Sequence, residues 1–221
     1  MQQNRQNYQK YLLDTLEAIK GKDKKPSLLL HVCCAPCSTA CLEVLKDYFD
    51  ITVLYYNPNI HPKEEFDKRF DELLSYIEKS KKQIKSICPK YDANEFFDAV
   101  KGLEHEKEGG KRCEVCFNLR LEKTAQIAKE KGFDYFTTTL TISPYKNSEL
   151  LNQIGKAVAE KYELNYLFSD FKKNDGYKKS IELSKEYNLY RQNYCGCKFA
   201  KGGGKLGVNS GNSDCIIKNN V

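Results

Sequence analysis

No apolar run in this sequence approaches the roughly 20 residues that span a bilayer, and Met1-Gln2-Gln3-Asn4-Arg5 lacks the apolar segment of a secretory signal. A membrane role is therefore not expected, and the expected location is cytoplasmic. Through residue 200 neither a G-x-G-x-x-G nor a Walker sequence occurs, so no nucleotide comes with the fold. Nothing reads as a flavin or nicotinamide site, and no internal repeat is visible.

Against these absences stand ten cysteines in 221 residues. The cytosol keeps thiols reduced, and a chain of this length buries a core without covalent staples, so metal ligation or redox catalysis is a better use for them than disulfides. The net charge of +6 is mild, and runs such as Lys20 to Lys25 and Lys79 to Lys85 read first as solvated surface and second as a polyanion site.

The stretch Leu28-Leu29-Leu30-His31-Val32-Cys33-Cys34-Ala35-Pro36-Cys37 organises the chain. Its short apolar run reads as a buried parallel strand. The cysteines then fall at the strand's carboxyl end, where open α/β sheets place their ligands and where the N-terminus of the next helix points. Around it, Tyr8, Tyr11, Leu12, Leu16 and Ile19 mark a leading helix. A strand over 27–32, a helix over 37–48 and a strand over 51–56 make a right-handed βαβ unit. A long helix opens at His61-Pro62 with the stripe Phe66, Phe70, Leu73 and Ile77. A short strand over 84–88, a helix over 94–101 and a mobile polar loop over 102–112 follow. Cys113 and Cys116 fall at the N-terminus of the next helix, where the dipole favours thiolate, and Gly132 stops that helix. Residues 134–142 read as a core strand, with a helix to Tyr162 capped by Asn147. A short strand over 164–168 and a helix over 177–187 complete the pattern.

These elements imply a Rossmann-like open parallel sheet with helices on both faces and a metal site at the carboxyl ends of its strands. The expected divisions are an N-terminal helix and linker over 1–26, a metal-binding catalytic domain over 27–197 and a flexible tail over 198–221.

Three cysteine groups are candidates to converge: Cys33, Cys34 and Cys37; Cys113 and Cys116; Cys195 and Cys197. A lone C-x-x-C can be a zinc clip, a redox pair or part of an iron–sulfur ligand set. Seven thiols exceed the four that a zinc ion or a cubane takes. Because neighbouring side chains leaving a strand point to opposite sides, Cys33 and Cys34 are expected to face two different centres. Cys41 and Cys88 read as small buried hydrophobes, His31 as a satisfied core residue and His105 as solvent-exposed. Cys215 has no partner in sequence.

His31-Val32-Cys33-Cys34-Ala35-Pro36-Cys37, Tyr56-Asn57-Pro58-Asn59-Ile60-His61-Pro62, Arg112-Cys113-Glu114-Val115-Cys116-Phe117-Asn118-Leu119-Arg120-Leu121, Thr138 to Lys146, and Tyr194-Cys195-Gly196-Cys197 occur in this order. Together, from about residue 27 to 197, they resemble the QueH family of epoxyqueuosine reductases. The resemblance implies reduction of the epoxide of epoxyqueuosine in tRNA to give queuosine. It also implies a [4Fe-4S] cluster beside one additional iron ion. Some members of that family carry an acidic residue where this chain has Cys37, which implies a more sulfur-rich shell for the second metal here. An external low-potential electron donor is then required. Proton-donor candidates are Asp92, Glu114 and His61. Substrate-binding candidates are Tyr145, Lys146 and Tyr194, with Tyr177 and Tyr190 as further rings for an unpaired base. Two other readings stand beside it. One is a zinc-stabilised tRNA-binding protein without catalysis. The other is a thiol-transfer tRNA modification enzyme, which lacks a glycine in the loop after the first strand to cradle phosphate.

Overall fold

The structure is a computed structural model that describes residues 6–81 and 83–200. The first five residues of the expected leading segment, and the expected tail from residue 201 onward with Cys215, lie outside the described residues. No helix among the described residues is long and apolar enough to cross a membrane.

Five parallel strands form one sheet: β1 (Ser27–His31), β2 (Asp50–Leu54), β3 (Lys85–Ile87), β4 (Tyr135–Thr138) and β5 (Asn165–Tyr166), in the spatial order β3-β2-β1-β4-β5. The chain runs outward from β1 through β2 to β3, then returns to the other side of β1 to lay down β4 and β5. The order therefore reverses between β1 and β4. At such a point the connections leave in opposite directions and open a crevice beyond the strand ends.

Alternation along β1 explains why helices cover both faces. Leu28 and Leu30 enter one apolar cluster and Leu29 the other, all three with no exposed surface. Burying each stabilises the fold by roughly 1.5–3 kcal/mol. The first face is covered by α1 (Tyr8–Ile19), α2 (Ala35–Leu45), α3 (Lys63–Lys79) and α7 (Gly176–Glu186), through Leu16, Leu42, Leu73 and Leu183 among others. The second is covered by α5 (Lys111–Lys131) and α6 (Ser148–Tyr162), through Leu121, Ala125, Leu151 and Val158. The short α4 (Asn94–Ala99) packs Phe96 with Cys116 in a third cluster beside the crevice. As expected, Asn147 caps α6, its Oδ1 accepting from the Glu149 and Leu150 amides at 3.0 and 3.2 Å.

Three expectations change. The strand expected to reach Ile142 stops at Thr138, whose Oγ1 accepts the Leu140 amide at 3.1 Å and turns Thr139–Ile142 into a 3-10 helix. The helix expected from Cys37 begins two residues earlier, with Cys34 at its N-cap and Pro36 in its first turn, where a missing N–H does no harm. The polar loop expected to move is tied down from within: the buried Arg112 donates to the carbonyls of Leu103 (3.4 Å), Glu104 (2.8 Å) and Glu106.

Candidate metal centre

The three cysteines after β1 sit at the reversal of the sheet. The Sγ atoms of Cys33, Cys34 and Cys37 all lie within 4.8 Å of one another, and those of Cys33 and Cys34 are 3.8 Å apart. The expectation that Cys33 and Cys34 point to opposite sides is thus corrected. Strand geometry ends at His31, two residues before Cys33, so the period of two no longer applies. The three can close on a single ion: tetrahedral sulfur ligation with bonds of about 2.3 Å puts sulfurs about 3.8 Å apart. Thr139, in the turn after β4, brings its Oγ1 to 3.9 Å from Cys33 Sγ.

The other two groups share electrostatic neighbours with the first: Cys33 and Cys195 both act on Lys146, and Cys33, Cys116 and Cys195 all act on Arg120. Cys113 lies in the first turn of α5 and Cys116 one turn on. Cys195 and Cys197 lie in an irregular segment after α7, held by the pairing of Cys197 with Ile60 and by the His61 amide donating to the Gly196 carbonyl at 2.9 Å. Cys195 is felt electrostatically by Cys113, Cys116 and Cys197, and Cys197 packs in the same apolar cluster as Cys116.

The three thiols after β1 are shifted in opposite directions. Hydrogen bonds from Cys34 and Cys37 draw the Cys33 thiol well below its ordinary range, against the effect of burial. The same bonds raise the partners, Cys34 to about 12 and Cys37 well above its ordinary value. Burial pushes Cys116 up to about 12 and Cys197 to about 11. Cys113 is also raised by burial, although the Gly109 amide donates to its Sγ at 3.2 Å. The dipole advantage expected at the start of α5 is therefore outweighed by desolvation. A metal entering here must displace protons from most of its ligands.

Lys146 and Arg120 are among the cations close enough to feel these sulfurs. Half-buried Lys146 is disfavoured as a cation by burial, yet the thiols of Cys195, Cys33 and Cys37 raise its pKa overall. Arg120, only 2% exposed, meets Cys116, Cys33 and Cys195 in the same way. Its Nη2 donates to Asn57 Oδ1 at 2.6 Å and its Nε lies 3.3 Å from His31 Nε2. His31 is a satisfied core residue, as expected: Nδ1 donates to Thr138 Oγ1 at 2.8 Å and Nε2 accepts from Arg120. Burial first and Arg120 second push its pKa down to about 3, so the ring beside the guanidinium is neutral.

The remaining candidates separate. His61 is half-buried with Nδ1 lacking a partner, its ring edge against Phe97 and its pKa lowered by burial and by Lys198. Asp92 is exposed and uses Oδ1 to accept the Asn94 amide at 2.9 Å, and Glu114 is exposed in the first turn of α5. Tyr145 stands 83% exposed, while Tyr194 is 37% exposed with the Arg69 guanidinium 5.2 Å from its ring centre. Tyr177 and Tyr190 are half-buried, Tyr177 near Arg191 and Tyr190 under Lys68. Cys41 and Cys88 are buried in the apolar core, the Cys41 thiol donating to the Cys37 carbonyl at 3.3 Å. His105 is exposed.

The buried arginines were not singled out from sequence. Arg120 follows Cys113 by seven residues and Cys116 by four on one helix, a spacing that puts all three on one face. Arg69 interrupts the stripe between Phe66 and Leu73 in the same manner. A charge at a core position of an amphipathic pattern was the available signal.

Comparison with known proteins points to one family. The family model described as epoxyqueuosine reductase QueH matches residues 28–202. A protein of Streptococcus pyogenes serotype M1 named epoxyqueuosine reductase QueH is 47% identical over 198 residues, covering 88% of this chain and 78% of the relative. Proteins of the same name from Staphylococcus epidermidis and Thermotoga maritima are 44% and 39% identical, over 90% and 79% of this chain and 87% and 90% of their own lengths.

Proposed function

The chain belongs to the QueH family of epoxyqueuosine reductases, oxidoreductases of tRNA modification, and from that membership we propose the chemistry of its own site. The substrate is the epoxide of epoxyqueuosine in tRNA, and the reaction takes two electrons and two protons to release its oxygen as water and leave queuosine. The observation that carries this reading is the group of three sulfurs within 4.8 Å at the reversal of the sheet. Four further thiols, Cys113, Cys116, Cys195 and Cys197, complete the set on this reading, supported by the action of Cys33 and Cys195 together on Lys146 and of Cys33, Cys116 and Cys195 on Arg120.

The donor set fits the metals that the reading requires. It is all sulfur, which favours iron–sulfur chemistry or zinc over hard cations. Seven thiols also match in number a cubane with four protein ligands and one further ion. Cys33, Cys34, Cys37, Cys113, Cys116, Cys195 and Cys197 would hold a [4Fe-4S] cluster and an iron ion. When bound, these groups supply the electrons one at a time and a Lewis acid for the epoxide oxygen.

The protein's own groups do the rest. His61 is the best placed of the three proton-donor candidates, because its buried Nδ1 has no partner whereas the Asp92 carboxylate accepts the Asn94 amide. Lys146 holds positive charge at the sulfurs and Tyr145 beside it presents an open ring for a base. Electrons come from an external low-potential donor. The domain that carries this out spans residues 27–197.

The test is iron and acid-labile sulfide in protein purified without oxygen, with its absorption spectrum and an assay on epoxyqueuosine-containing tRNA. About five irons and four sulfides per chain are expected, with visible absorption that bleaches on reduction. Stoichiometric zinc without sulfide would instead favour a structural site on a tRNA-binding domain.

A further inference from the structure

Arg120 lies outside the ligand set, and one sulfur of each cysteine group, Cys116, Cys33 and Cys195, acts on its charge. It lies on the same face of α5 as Cys113 and Cys116, one turn deeper into the protein. Its hydrogen-bonding partners are uncharged: Asn57 Oδ1 at 2.6 Å, and the neutral His31 ring at 3.3 Å. Asn57 is itself fixed, its Nδ2 donating to the Val32 carbonyl at 2.9 Å, on the residue that precedes Cys33. Cys116 lies one helical turn before it on the same face of α5.

A buried cation needs a counter-charge. Here none of its hydrogen-bond partners carries a charge, so the counter-charge must come from the cysteine sulfurs once they are deprotonated on a metal. Seven thiolates exceed the positive charge of an oxidised cubane and a ferrous ion, so the filled site is an anion in a low-dielectric surrounding. Adding an electron makes it more so. Guanidinium is the side chain suited to answer this, because it keeps its proton at any ordinary pH and presents several N–H groups in a fixed plane. Net charge and hydrogen bonds to sulfur are among the factors that set the potential of a cluster.

We propose that Arg120 is a positioning residue of the metal centre: a permanent cation, fixed by His31 and Asn57 beneath the sulfurs, that offsets their negative charge and raises the reduction potential of the cluster. The inference rests on the cluster reading above, and the experiment separates the two. Wild type, R120M and R120K are reconstituted anaerobically, their iron and sulfide counted and their reduction potentials measured by EPR-monitored titration. Thermal melting reports whether each folds.

R120M, which keeps bulk and removes charge, is expected to titrate at a more negative potential than wild type. R120K is expected to stay close to wild type. Equal potentials in wild type and R120M overturn the inference, and so does an R120K shift as large as that of R120M, because the shape of the guanidinium rather than its charge would then be the cause. If R120M holds no cluster while R120K does, the charge role stands, and if both lose it the role falls. If R120M does not fold, R120K decides: a wild-type potential supports the charge role and a more negative one overturns it. A wild-type protein that takes up zinc but neither iron nor sulfide overturns the cluster reading itself, and this inference with it.

Discussion

Arg69 donates from Nη1 to the main-chain carbonyl of Cys195, 3.1 Å away in space and 126 residues later in the chain. The arginine is 2% exposed and its Nε is anchored to Glu65 Oε1 at 2.7 Å, so α3 carries a fixed peg onto which the last cysteine segment hangs. The following residue shows how closely the two approach. Gly196 has φ +90, and a Cβ there would come within 2.9 Å of Arg69 Nη1. Gly196→Ala combines a collision with a backbone angle that costs an L residue roughly 1–2 kcal/mol. It is expected to lower iron retained per chain after anaerobic purification and to lower the melting temperature by only a few degrees. Full iron content in Gly196→Ala would show that this segment is not a ligand arm.

The two kinds of buried cysteine should respond differently to removal. Cys34→Ala, Cys113→Ala and Cys197→Ala each take a sulfur from the crevice and are expected to abolish turnover on epoxyqueuosine-containing tRNA. Cys41 packs in the core, where its thiol donates only to the Cys37 carbonyl. Cys41→Ala is expected to destabilise by about 1 kcal/mol, the scale of one small core group lost, and to retain turnover. Any of the first three that remains fully active leaves the ligand set.

Acid should loosen the sheet at the start of β1. The Asp134 carboxylate accepts from both the Ser27 amide at 2.8 Å and the Ser27 hydroxyl at 2.7 Å, joining β1 to the approach to β4. These bonds favour the ionised form, so the folded pKa lies below the unfolded one. The contribution is therefore present above the unfolded value of about 3.9 and is lost as pH falls through the lower folded value. Chemical denaturation of apo protein from pH 7 to pH 3 checks the sign. Asp134→Asn should be less stable than wild type at pH 7, with the difference shrinking towards pH 3. A constant difference would mean that the charge is immaterial.

The order of elements was legible because apolar periodicity survives in a sheet covered on both faces. The position of the first cysteines followed from the end of the run Leu28 to Leu30. What local pattern did not disclose was everything set by residues distant in sequence. The facing of Cys33 and Cys34 depends on a turn rather than a strand. The hold on Cys195 depends on Arg69, and the state of Cys116 on burial that overrides the helix dipole. The strand over 134–142 was overextended because its threonines are β-branched throughout, yet Thr138 uses its hydroxyl to cap a turn. The arginines at 69 and 120 were visible as charges in apolar stripes, but their partners lie on other elements.

Tyr145 offers the cleanest test of the nucleic-acid face. At 83% exposed it contributes almost nothing to packing, and its neighbour Lys146 reaches the electrostatic field of Cys195, Cys33 and Cys37. A ring so placed can stack on an unpaired base at the mouth of the crevice. Tyr145→Ala is expected to weaken tRNA binding by roughly 1–3 kcal/mol, the scale of one base–aromatic stack, with melting unchanged. Phosphate contacts by the surrounding lysines should show separately, as affinity that falls linearly with salt on a log–log plot. Stacking and phosphate contact act on different parts of the same ligand, so Tyr145→Ala should lower affinity at every salt concentration without altering the slope. A flat salt dependence would remove the lysines from the interface, and undiminished binding by Tyr145→Ala would remove the ring.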